Sequence, residues 1–270
     1  DMRTENLGQR KESLQSYEKG LALAQRAVVD ARFRERAEAI ILDLMGDQMI
    51  ALEDMGDREK TAMVAFELTK LLNAAPPRDA GPSLQASRAL AWRQIGANHV
   101  QNHRNEEGRA AYLKSKELYE SLMAEAQRPV QIPAQYAFTL KRLGALAIAE
   151  KRFPEAGEHY MKALGIEREL LREQPGDRTL RFGLTYTLSD LGYLQRENGK
   201  LDEALKLYRE ALQLREAALA EDPNNERARW GVASTLNYLG DLYGQLGWYP
   251  QGREAYERAL TLREEMLART

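Results

Sequence analysis

Apolar and small residues in this chain fall on single helical faces, in pairs of segments joined by short polar turns. Residues 188–214, LSDLGYLQRENGKLDEALKLYREALQL, show the pattern most plainly as helix, turn and second helix. The pattern recurs at a fixed interval. Tyr112, Tyr160, Tyr208 and Tyr256 stand 48 residues apart, as do Gly96, Gly144, Gly192 and Gly240, each Gly 16 residues before its Tyr. Further small residues keep the same phase: Gly108, Ala156, Ala204 and Gly252, then Ser115, Ala163, Ala211 and Ala259. Two helices approach to about 8–10 Å only where the crossing side chains are small, so these positions mark where the two helices of a pair touch. The apolar residue before each Gly (Ile95, Leu143, Leu191, Leu239) supplies buried contact.

In chain order, the pattern predicts helices over 9–29, 32–54, 57–73, 83–103, 105–126, 133–151, 154–173, 179–197, 201–220, 226–246 and 250–268, about eleven in all, and no strands. The first is a second-type helix whose partner is missing or reduced to residues 2–8. Asp57 suits an N-cap. The repeat around 32–73 is degenerate: Gly46 is out of phase and Thr61 stands where a small Ala is expected. The strongest break is AAPPRDAGP at 74–82, read as a mobile connector, with a second loop at 127–133.

These residues resemble the tetratricopeptide repeat. Its pattern of a bulky residue, Leu-Gly, Ala, an aromatic and Ala is met by Trp92, Ile95, Gly96 and Tyr112, and again by Leu188, Leu191, Gly192, Ala204, Tyr208 and Ala211. The resemblance covers nearly the whole chain but departs in length, 48 residues against the usual 34 or so, which lengthens each helix by about two turns. It implies an all-α, right-handed α-solenoid of antiparallel helix pairs. Residues 1–75 would form degenerate repeats, and 83–270 four regular ones (83–127, 132–174, 178–221, 225–270) in one continuous superhelix. It also implies a scaffold within a larger bacterial signalling protein, where such long-helix arrays follow kinase or NTPase domains. The chain opens at Asp1, partway through a repeat, and is read as a fragment.

Composition narrows the function classes. Lys+Arg 39 against Asp+Glu 41 leaves a net charge of -2, with no electrostatic footprint for nucleic acid or anionic lipid. No apolar run approaches the ~20 residues of a spanning helix. The absence of cysteine excludes disulfides and thiolate chemistry. A cytoplasmic location is favoured, with an extracytoplasmic domain of a membrane-anchored protein as the alternative.

Candidate chemistry is sparse. His99 and His103 would share one helical face, half a metal site at most, without the Glu of the metalloprotease pattern. Gly199-Lys200 is an inter-helix turn and not a phosphate loop, and no nucleophile elbow is present. No catalytic residue, metal ligand or cofactor is therefore expected. Binding positions follow from the resemblance, on the first helix of each pair: Arg93, Gln101, Phe138, Lys141, Ile148, Tyr186, Ser189, Tyr193, Arg196, Asn237, Asp241 and Gln245. Their mixture of aromatic, apolar and cationic side chains suits an extended peptide or partner helix carrying apolar anchors and a nearby acidic group. Leu260, Leu262, Met266 and Leu267 on the last helix make self-association through a terminal face the second reading, and a metal-dependent enzyme the remote third.

Overall fold

The computed structural model describes residues 2–30, 32–75, 80–125, 129 and 131–268. Among them are eleven helices and no strand: α1 (Met2–Ala27), α2 (Arg34–Asp54), α3 (Arg58–Asn73), α4 (Pro82–Gln101), α5 (Asn105–Met123), α6 (Ile132–Ala149), α7 (Phe153–Glu173), α8 (Arg178–Glu197), α9 (Leu201–Glu221), α10 (Glu226–Gln245) and α11 (Tyr249–Leu267). None is long and apolar enough to cross a membrane. Most ends fall within two residues of the expected ones. The largest departure is at the start, where residues 2–8 belong to α1 itself and form no partner helix. Parts of the 74–82 and 127–133 loops lie outside the described residues.

Side-chain capping explains several starts. Asp57 accepts from Lys60 N at 3.2 Å, Asp177 from Thr179 N and Leu180 N, and Asn225 from Ala228 N at 2.9 Å. The turns repeat as well. His103, Lys151, Gly199 and Gly247 all have φ between 59° and 74°, so two of four equivalent turns place a bulky residue in the left-handed region.

The chain forms two compact units, residues 1–146 and 147–270. In each, the Gly–Tyr spacing is a steric device. A Cβ added to Gly96 would meet the Tyr112 ring at 2.6 Å, and one at Gly192 would meet the Tyr208 ring at 2.7 Å. In the first unit the core is Leu42, Met49, Leu68, Leu84, Trp92 and Ile95, from α2 to α4. In the second it is Tyr160, Leu164, Leu184, Leu188 and Leu191, continued by Tyr208, Leu239 and Leu242.

Between neighbouring pairs runs a buried polar layer. Seven residues after the marker Tyr come Tyr119, Glu167 and Arg215, all buried. Glu167 accepts from Thr187 Oγ1 at 2.5 Å. Arg215 donates to Thr185 Oγ1 (3.0 Å), Thr185 O (3.3 Å), Gly231 O (3.0 Å) and Thr235 Oγ1, and its guanidinium lies 5.3 Å from the Tyr186 ring.

Candidate functional site

In the first unit α4 and α6 bring three of the expected residues together. Phe138 projects from α6 with 39% of its surface exposed. Around its ring stand Arg93 of α4 at 4.6 Å, Arg142 at 4.8 Å and Lys141 at 5.8 Å. The ring's negative face attracts cations, each such contact contributing about 0.5–1 kcal/mol when exposed. Arg93 is fixed by Nη1 donating to Gln135 Oε1 at 2.6 Å. Burial pushes the Arg93 pKa down, and Arg142 pushes the same way. Among the described residues no carboxylate forms an ion pair with Arg93 or Arg142. Arg142 was not singled out from the sequence, although it sits beside Lys141. Gln101 is exposed at the end of α4, beside a separate cavity of about 300 Å³ that also touches Glu53, Asn98 and Arg104.

The second unit arranges its residues differently. Tyr193 lies under Arg196, whose guanidinium is 5.3 Å from the ring and ion-paired with Glu197 (3.1 Å) and Asp241 (3.5 Å). Tyr186 packs edge-on to Phe182, centroids 4.9 Å apart. Ser189 is 5% exposed and its hydroxyl donates to Thr185 O. Ile148 packs against the Tyr160–Leu188 core. Asn237 is half-buried and Gln245 exposed.

The two histidines do not share a helical face. His99 is on α4, but the helix ends at Gln101 and His103 occupies the turn at φ 59°. Among the described residues no three His, Cys, Asp or Glu side chains stand close enough to hold a metal.

A feature that sequence reasoning missed lies between α2 and α4. Three α2 carboxylates each take one neutral donor from α4: Asp43 from Ser87 Oγ at 3.1 Å, Asp47 from Gln94, and Glu53 from Asn98 Nδ2. Burial pushes the pKa of all three up. Among the described residues none of the three is ion-paired. Tyr119 packs nearby, its hydroxyl pKa pushed up to about 12 by burial.

A tetratricopeptide repeat model matches residues 184–224 and 232–269. BtubC from P. vanneervenii superposes with a TM-score of 0.72 at 15% identity, covering 95% of this chain and 92% of its own. The apo form of RapI superposes with a TM-score of 0.54 at 14% identity, covering 95% and 99%. At these identities the likeness shows a shared fold. No curated protein matches this sequence.

Proposed function

We propose that this chain, of which two stretches match the tetratricopeptide repeat, acts as a non-catalytic scaffold holding a protein or peptide on the first helices of its pairs. The observation that carries this reading is the Phe138 cluster. An exposed aromatic ring ringed by three cations, two of them without a carboxylate partner among the described residues, offers an apolar anchor point beside uncompensated positive charge. Aromatic and Arg side chains are the usual energetic anchors of interfaces. The ligand fitting it is an acidic segment with an adjacent apolar side chain. In the second unit, Tyr193, Arg196 and Asp241 form a narrower polar strip whose cation is already paired. Panning a displayed random-peptide library on the chain tests the reading. Acidic segments with an apolar anchor are expected to be enriched, and Phe138→Ala and Arg142→Glu to weaken them at least about tenfold. Enrichment of sequences without acidic residues, or binders indifferent to both substitutions, overturns it.

A second reading, self-association through the last pair, is favoured by one observation. On α11 Tyr249 is 72% and Leu260 57% exposed. They border an open cavity of about 430 Å³ with Gly240, Gly244 and Tyr256. Sedimentation at increasing concentration tests it: a growing mass that Leu260→Asp abolishes supports the reading, and a constant monomer mass ends it.

A further inference from the structure

The first unit contains a cavity of about 670 Å³ between α2, α4 and α6. Ligand sites typically enclose about 300–1,000 Å³ of mostly apolar wall with a few placed polar groups. Here Ile40, Leu90 and Ile132 supply the apolar wall, and Asp43, Ser87 and Gln135 the polar groups. We infer that this cavity binds an organic cation, an alkyl guanidinium or ammonium group, with Asp43 as its counter-ion.

The argument starts from charge. Asp43 is partly buried, Oδ2 accepts only from Ser87, and Oδ1 is buried without a hydrogen-bond partner. A desolvated carboxylate served by one hydroxyl is unfavourable unless a positive group completes it. The neighbouring groups do not supply that charge. Arg32 and Arg36 border the cavity, but Arg32 is engaged by Asp30 at 2.7 Å, and Arg36 is exposed to solvent and forms no ion pair with Asp43. Asp47, one turn along α2, adds negative potential and pushes the Asp43 pKa in the same direction as burial does. The lining fits the two halves of such a ligand: the aliphatic wall takes an alkyl stem, and the Ser87 hydroxyl offers a further oxygen to a multi-donor head. The Phe138 cluster has the opposite polarity, and Asp43, the counter-ion of the cation, is no part of it, so either site can fail without the other.

The test uses the full chain and n-butylguanidinium, with uncharged n-butylurea as the isosteric control, followed by NMR shifts or calorimetry. Saturable millimolar binding of the cation is expected, at least about tenfold weaker in Asp43→Asn. Ile40→Trp, which fills the cavity from α2, is expected to block the cation. No saturable binding by the wild type, equal binding by Asp43→Asn, or equal binding of n-butylurea overturns the inference. Should Asp43→Asn lose its helical signal, the Ile40→Trp and n-butylurea arms decide the outcome.

Discussion

The two units solve one packing problem with opposite charge chemistry. Each stacks helix pairs through Gly–Tyr crossings, and each carries polar groups between neighbouring pairs. In the second unit the buried guanidinium of Arg215 meets four acceptors from Thr185, Gly231 and Thr235, and Glu167 meets Thr187. That charge is enclosed and served. In the first unit Asp43, Asp47 and Glu53 each receive one neutral donor, and across α4 the cations Arg93 and Arg142 gather on Phe138. A scaffold that only needed to stand up would favour the first arrangement. On the proposed function, the charges left incompletely served on the helices that line a cavity are kept for a partner.

The difference can be broken most sharply at Arg215. Arg215→Ala leaves a cavity, and is expected to destabilise the second unit by about 3 kcal/mol in chemical denaturation. Arg215→Met is expected to cost much less. Gly231 O keeps the Thr235 hydroxyl at 2.8 Å and Thr185 O keeps that of Ser189, so an apolar chain of similar length leaves few orphans. If Met is as harmful as Ala, the charge itself matters and the comparison fails.

Next in size is the crossing. Gly192→Ala drives a methyl to 2.7 Å from the Tyr208 ring and is expected to cost about 1–3 kcal/mol. Gly165→Ala, with nothing within 4 Å, is expected to stabilise by up to about 1 kcal/mol. Thermal melts of the pair give the contrast directly.

The first unit carries a pH signature. Its α2 carboxylates have pKa values raised by burial, so the folded chain binds protons that the unfolded chain, with carboxylates near ~4, has already released. Their contribution to stability is therefore fully present below the ordinary carboxylate range and is lost as pH rises through the raised values. Melts between mildly acidic and neutral pH are expected to show this fall, and Asp43→Asn with Glu53→Gln to flatten it. The smallest effect lies in the turns. Lys151→Gly and His103→Gly relieve a left-handed backbone and are expected to gain up to about 1 kcal/mol each in the same melts.

Much of the fold was legible because packing at a crossing admits few residues: the phase of Gly and Tyr over 48 residues marked the helix pairs. The candidate site was legible only in part. At the position three before each Gly stand Arg93, Lys141, Ser189 and Asn237. Short Ser189 is buried at this register, whereas the longer Arg93, Lys141 and Asn237 are half-buried. Arg93 and Lys141 therefore meet Phe138, whereas Ser189 turns back to Thr185 O. The Asp43–Ser87 contact was hidden for another reason. Gly46, the only glycine in α2, lies out of phase with the repeat, so no register carried α2 onto α4.

The most direct test of the binding account is a reciprocal charge swap, read as the affinity of one library-selected acidic peptide by fluorescence anisotropy. Arg142→Glu is expected to weaken that peptide at least about tenfold, and a peptide with its acidic residue changed to Lys to recover affinity for the substituted chain. Equal affinity of the original peptide for both chains would contradict the claim that the cations around Phe138 are held for a ligand.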